Sequence, residues 1–183
     1  MVDLLTLEKR FLSEHIKPGG IAADCTMGNG HDTCWLSRAV GENGHVYAFD
    51  IQEQALASTA ELLKSEACPE NYTLILDSHE NIKNYIKEPI CAAVFNLGYL
   101  PGGDKSVTTL RPSTAAAVRG AIELLDSDGI LLCAVYPGHE EGRLEGAMLE
   151  ELFRDYDRRK ICISQFRIVN SPTSPFFFIA EKK

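Results

Sequence analysis

The chain has 183 residues, 45% of them apolar, six cysteines and a net charge of −8. That is enough chain and apolar content for one domain with a substantial core, and no run approaches the 18 apolar residues of a membrane-spanning helix. The acidic balance argues against a general affinity for nucleic acid, which rests on phosphate neutralisation, though not against a local basic patch. Residues 1–15 mix Asp3, Glu8, Lys9 and Arg10 with apolar residues in an amphipathic pattern unlike a signal peptide, so a cytoplasmic protein is expected. Cys25, Cys34, Cys68, Cys91, Cys133 and Cys162 form no CxxC pair and read as small buried hydrophobes in a reducing compartment. No clustered ligand set suggests a metal.

In chain order, residues 4–16 predict a helix stopped by Pro18-Gly19-Gly20, and residues 21–25 a short strand. A helix over 32–40 ends at Gly41 and Gly44. A strand over 45–49 carries Asp50 at its carboxyl end. The helix over 52–65 shows Ala55, Leu56, Ala60, Leu62 and Leu63 on its apolar side. A strand at 72–76 is again followed by an Asp, then a short helix at 79–86. The wholly apolar run 90–95 fits a central strand. A long helix over 108–125, a strand at 130–135 and a helix over 140–156 follow. Two last strands, near 161–168 and 176–180, suit a terminal antiparallel pair. Strands alternating with helices imply an α/β, Rossmann-like domain spanning residues 1–183. Its sheet is seven-stranded and mostly parallel, with helices on both faces and an antiparallel C-terminal strand. Ligands of such sheets bind beyond the carboxyl ends of the strands, which singles out residues 24–30, Asp50, residues 77–79 and residues 96–104.

The first of these segments reads Asp24-Cys25-Thr26-Met27-Gly28-Asn29-Gly30-His31-Asp32. Gly28 and Gly30 permit a tight turn and a close approach of backbone to ligand. Asp50, 20 residues beyond Gly30, can accept hydrogen bonds from both hydroxyls of an adenosine ribose. A dinucleotide fingerprint needs a third glycine where Thr33 stands, and the pyrophosphate of NAD would meet Asp32 at the helix start. S-adenosyl-L-methionine has no pyrophosphate, and acidic residues suit its cationic sulfonium and amino groups. Asp77, Ser78 and His79 are then placed to contact the adenine.

The segments DCTMGNGHDT, AFDIQ, LDSHE, FNLGYLPGGDK and YPGHEEG resemble, in order and over nearly the whole chain, the signature blocks of the bacterial putative rRNA methylase family. The resemblance implies a class I methyltransferase fold and S-adenosyl-L-methionine as cofactor. It implies as partner the anticodon region of a tRNA, whose 5-aminomethyl-2-thiouridine at the wobble position is converted to the 5-methylaminomethyl form. Carried over residue by residue, Gly28, Asn29 and Gly30 line the methionine part of the cofactor, and Asp24 is a further candidate cofactor contact. Asp50 and Gln52 hold the ribose and the adenine edge, and Asp77, Ser78 and His79 the base. The tail departs from the family's Asn-x-Pro-Pro run, reading Asn170-Ser171-Pro172-Thr173-Ser174-Pro175.

Asn96-Leu97-Gly98-Tyr99 after the central strand is similar to the (Asp/Asn)-Pro-Pro-(Tyr/Phe) motif of amino-group methyltransferases, with Leu97-Gly98 in place of the prolines. A side-chain oxygen and a backbone carbonyl there orient an amine, and an aromatic ring stacks on the base that carries it. Asn96 and Tyr99 are thus the candidate catalytic pair, with Asn96 also against the cofactor. Asp32, Asp104 and His139 are three candidates for removing the amine's proton. Gly98, Tyr99, Lys105 and Arg111 are candidate substrate contacts. The run Arg154, Arg158, Arg159, Lys160 is the densest basic patch. Pyrimidine C5 methylation needs a cysteine nucleophile, and residues 96–104 hold none. Two other readings stay open: a methyltransferase of rRNA or of a small metabolite, and a non-catalytic nucleotide-binding module. No membrane and no metal partner is expected, and a homodimer is compatible with the sequence.

Overall fold

A computed structural model describes residues 3–100, Gly102 and residues 108–183. The elements are α1 (Leu4–His15), β1 (Ile21–Asp24), α2 (His31–Val40), β2 (His45–Asp50), α3 (Glu53–Ser65), β3 (Tyr72–Leu76), a 3₁₀ turn (His79–Asn81) running into α4 (Ile82–Tyr85), β4 (Ile90–Asn96), α5 (Arg111–Leu124), β5 (Leu125–Val135), α6 (Glu140–Arg154), β6 (Ile161–Phe166) and β7 (Phe176–Lys182). The sheet order is β3-β2-β1-β4-β5-β7-β6. β7 is inserted antiparallel between β5 and β6, and β3 through β5 pair in parallel. The expected architecture is present.

Alternation along the strands builds two cores. Ala93, Phe95, Leu131, Cys133, Phe176 and Phe178 face one side, against Ile82, Val118, Ala121, Leu149 and Phe153 of α4, α5 and α6. Ala92, Val94, Leu132, Ala134 and Phe177 face the other, against Leu12 of α1 and Leu36 and Val40 of α2. Because successive strand side chains point to opposite faces, a central strand covered on both sides must be apolar throughout, as β4 is.

Most boundaries fall within one or two residues of expectation, the helix expected over 79–86 is a 3₁₀ turn followed by one short α-helix, and two element starts move by three residues or more. α5 begins at Arg111, with Pro112 in its first turn. Thr108 instead bridges to Tyr99, and the Thr109 amide donates to the Gly98 carbonyl at 2.9 Å. Proline pre-sets the φ of a helix start, so Pro112 was the sequence signal for this boundary. β5 begins at Leu125, five residues early, because Leu125 pairs with Ile90 ahead of a register shift that absorbs Asp126 to Gly129. That polar stretch looked like a loop, and it is a bulged strand end. The cysteines are free; Cys25, Cys34 and Cys133 are buried, and the Cys34 and Cys68 thiols lie 2.8 Å apart. No described helix is long and apolar enough to cross a membrane.

Candidate methyl-transfer site

The loops that follow β1, β2, β3 and β4 lie at the carboxyl ends of the parallel strands. In the first, Met27 donates its amide to the Phe49 carbonyl (2.9 Å) and Gly28 donates to Asp50 Oδ2 (3.0 Å). Gln52 donates its amide to Asp50 Oδ1 (3.0 Å). The Asp50 carboxylate is therefore fixed by one backbone N–H on each oxygen, with lone pairs left for a ligand. Gly30, at φ +82°, is pressed on α3: a Cβ there would stand 2.7–2.9 Å from Oγ1, Cγ2 and Cα of Thr59. Thr59 Oγ1 in turn donates to the Gly28 carbonyl at 3.1 Å, and Ser58 donates to the Asn29 side-chain oxygen at 3.4 Å.

Asp24 and His79 were expected to touch the cofactor, and the structure corrects both. Asp24 is fully buried; its carboxyl accepts from the Thr26 amide (3.2 Å) and the Thr33 hydroxyl (2.6 Å). Burial, then the nearby Asp32 charge, pushes its pKa up to about 7. His79 is 9% exposed and donates Nδ1–H to the Cys25 carbonyl at 2.8 Å, with its ring edge-on to Phe95. Burial lowers its pKa. Both shape the loop from beneath. The threonine that breaks the dinucleotide fingerprint has a structural job here, tying Asp24 to α2.

Asp77 is partly spoken for. It accepts from the Ser78 amide (2.7 Å), Asn81 (3.0 Å) and the Tyr85 hydroxyl (2.8 Å), and the Tyr85 bond leads in holding it below the usual carboxylate range. Ser78 caps the following 3₁₀ turn.

Asn96 stands at the centre. Its amide N–H donates to Thr26 Oγ1 (2.6 Å), and its side-chain Nδ2 donates to Asp32 Oδ2 (2.7 Å). Its Oδ1 receives the Tyr136 hydroxyl at 3.4 Å, which leaves that oxygen one further lone pair. Asp32 Oδ1 lies 3.9 Å from Lys9 Nζ. Burial, then the Glu8 and Asp32 charges, raises the Tyr136 phenol to about 12.

The next residues hold this centre in place. Leu97, 1% exposed, donates its amide to Ala134. Gly98, at φ +145°, makes the turn that two prolines make in the related motif. Thr109 Oγ1 accepts from the Gly98 amide (3.0 Å) and donates to Glu145 (2.8 Å), which also accepts from Thr114 at 2.5 Å. Tyr99 is 38% exposed beside the His139 ring, centroids 5.8 Å apart. His139 Nδ1 accepts the Gly142 amide as the cap of α6, so the neutral ring carries its proton on Nε2, which is buried without a partner. Arg111 Nε pairs with Glu141 at 2.9 Å. Asp104 and Lys105 lie outside the described residues. Arg154 and Arg159 are paired with Glu150 and Asp157.

Sequence reading missed Thr26, Tyr136, Thr109, Glu145 and Glu8. Each acts on a segment other than its own, and strand pairing or helix docking brings it there. It also passed over Ile51, which leaves an apolar surface 59% exposed next to Asp50. No group of three or more metal-ligating side chains occurs among the described residues.

Residues 46–182 match the family described as "Putative rRNA methylase". A "putative rRNA-methylase" from Clostridium thermocellum superposes with a TM-score of 0.97 at 35% identity, covering 100% of this chain and 99% of that one. A "putative methyltransferase" from Streptococcus mutans in complex with SAH gives a TM-score of 0.91 at 38% identity, covering 100% and 99%. A relative from Arabidopsis thaliana described as "tRNA (mnm(5)s(2)U34)-methyltransferase, chloroplastic" is 33% identical over 181 residues, and this chain spans 65% of that relative's length. With a Rossmann-like sheet, Asp50 closing β2, an Asn-x-x-Tyr turn at the end of β4 and a family match over most of its length, the chain belongs to the putative rRNA methylase family of methyltransferases.

Proposed function

We propose that this protein is an S-adenosyl-L-methionine-dependent N-methyltransferase acting on RNA, and that its substrate is the 5-aminomethyl group of the tRNA wobble uridine. The methyl donor fits the residues present. Gly28, Asn29 and Gly30 form a glycine cradle for its methionine part, Asp50 and Gln52 take the ribose, and Ile51, Asp77 and Ser78 border the adenine. Asp32, aimed at Asn96, leaves the start of α2 unsuited to a pyrophosphate. When bound, the cofactor supplies an electrophilic methyl group.

The observation that carries the reading is Asn96, whose Oδ1 keeps a lone pair free while Asp32 and Tyr136 fix the carboxamide. An amine N–H donated to that oxygen turns the nitrogen lone pair toward the methyl carbon, and orientation of this kind lowers the barrier without new covalent chemistry. Tyr99, exposed next door, suits stacking on the base that bears the amine. The Arabidopsis relative's description names a wobble uridine, which supports this substrate class.

The test combines the purified protein, labelled S-adenosyl-L-methionine and tRNA from cells lacking the enzyme, read by nucleoside mass spectrometry. Conversion of 5-aminomethyl to 5-methylaminomethyl uridine is expected. Label appearing only in rRNA, or only in a small amine, overturns the tRNA assignment. Asn96→Ala is expected to keep cofactor affinity and lose on the order of 10²-fold in single-turnover rate.

A further inference from the structure

An alkyl amine reaches an enzyme as its ammonium ion, which has no lone pair with which to attack, so a group must accept its proton. We propose that Glu8, carried on α1, is the proton acceptor for the substrate ammonium; the assignment rests on the amine reading above. Of the three groups considered from sequence, Asp104 lies outside the described residues, and Asp32 is engaged by Asn96 and flanked by Lys9. His139 is held by the Gly142 amide in the tautomer that presents N–H, a donor.

Glu8 differs from both. It is 8% exposed, no hydrogen bond or ion pair among the described residues holds its carboxyl, and its carboxyl oxygens, which are not fully buried, open to solvent. A largely buried carboxylate whose oxygens no protein group holds is free to accept from a ligand entering at the rim of the site. Its position follows from the run of α1. His15 at the far end donates to the Asp128 carbonyl at the start of β5, and Phe11 packs on Phe177, which pairs with Ala134. One helical turn before Phe11, Glu8 therefore lies at the carboxyl ends of β4 and β5, where Asn96 and Tyr136 stand. The charged and titratable groups around it are Asp3 and Lys9 on α1, Asp32 on α2, Cys133 on β5 and Tyr136 after it. Burial first, then Asp32, raise Glu8 to about 7, with Lys9 opposing. A base of that strength is available at neutral pH and still takes a proton from an amine desolvated beside it.

The step balances. The Glu8 carboxylate takes one proton from R–NH₃⁺, leaving R–NH₂ and a neutral carboxyl. The nitrogen lone pair forms the N–C bond as the C–S bond breaks, its electron pair staying on sulfur. The positive charge passes from sulfonium to the secondary ammonium product, and Glu8 returns its proton to solvent.

The experiment compares wild type, Glu8→Gln and Glu8→Asp in single-turnover methylation of aminomethyl-bearing tRNA across about pH 6–9.5, with cofactor and tRNA affinities measured in parallel. In Glu8→Gln the rate at neutral pH is expected to fall on the order of 10²-fold. It should then rise about tenfold per pH unit as free amine accumulates, while wild type levels off above about pH 7. Both affinities should stay within about twofold. Glu8→Asp should fall between, and it serves as the reporter if Glu8→Gln does not fold. A second readout needs no turnover: ¹³C NMR of labelled glutamate carboxyls should show one titration near neutrality that Glu8→Gln abolishes. Unchanged rate and pH profile in Glu8→Gln, or no such titration, overturns the role of Glu8 alone. Failure of wild type to methylate that tRNA while it methylates another substrate overturns the amine reading, and this assignment with it.

Discussion

Asp24→Asn makes a sharp test of the electrostatics under the cofactor loop. Asp24 is fully buried, and its pKa is raised from 3.8 to about 7, first by burial and then by Asp32. The folded state therefore holds a proton that the unfolded chain has lost between about pH 4 and 7. Stability changes with pH in proportion to protons bound by the unfolded state minus those bound by the native state, and here that difference is negative. So the Asp24 contribution is fully present below about pH 4 and is lost as pH rises through about 7. A tenfold change in acidity is worth about 1.4 kcal/mol, so the ionised carboxyl costs on the order of 4 kcal/mol at pH 8. Asparagine keeps the shape and the bonds. Its Oδ1 accepts from the Thr26 amide, and its Nδ2 donates to the Thr33 hydroxyl, which rotates to accept. Urea unfolding of both proteins from pH 5 to 8 should show the variant's advantage growing with pH, to about 2–4 kcal/mol at pH 8. Glu8 imposes the same sign on both proteins and cancels in the difference. A difference that stays flat with pH, or an asparagine variant that is the weaker protein at pH 8, would refute the argument.

Gly30→Ala places a Cβ within 3 Å of the Thr59 backbone at a left-handed φ, and urea unfolding should report a loss of about 2–5 kcal/mol from strain and overpacking; a loss under about 0.5 kcal/mol contradicts the close approach. Asp50→Ala removes the acceptor that the Gly28 and Gln52 amides fix, so calorimetry should show S-adenosyl-L-methionine binding weakened by about 1–3 kcal/mol, and unchanged affinity in a folded variant removes Asp50 from the site. His139→Asn retains a capping side chain for α6 but loses the Nε2–H donor. It should raise KM for tRNA while leaving melting temperature and the pH–rate slope unaltered, whereas a flattened pH profile would restore His139 as a base.

Most of the architecture was legible because its signals are local. Apolar runs of strand length, helical periodicity and the acids closing β2 and β3 each sit within a few residues of what they specify. The two displaced boundaries arose where a tertiary partner overrode a local signal. Leu125 stays extended because Ile90 is beside it, and Thr108 and Thr109 clamp the Asn96 turn instead of starting a helix. The site shows the same division. Asp50 and Asn96 follow strands and could be picked out from sequence. Asp24 and His79 follow strands too, yet they point inward, and nothing in a one-dimensional pattern distinguishes a loop acid that faces ligand from one that braces the loop. Glu8 was invisible for the opposite reason: it lies mid-helix, in an amphipathic stretch where a glutamate reads as solvated, and only the docking of α1 on β5 buries it.

That burial bears on the tension between an acidic chain and a polyanionic substrate. Asp24, Asp32, Asp50 and Glu8 gather under the loops, with Lys9 as a cation among them. A floor of that sign repels phosphate and attracts both a sulfonium and an ammonium, so it fits the reacting groups of the proposed chemistry and not the backbone of the RNA that carries one of them. Several basic side chains are paired with acids: Arg111 with Glu141, Arg154 with Glu150, Arg159 with Asp157, Lys83 with Glu123. On the proposed reading, recognition of the RNA falls more on the base itself, through the exposed Tyr99 ring, than on phosphate neutralisation. Acidity at the centre and exposed aromatic surface at the mouth are together what a site needs when the only cations it must hold are the two that react.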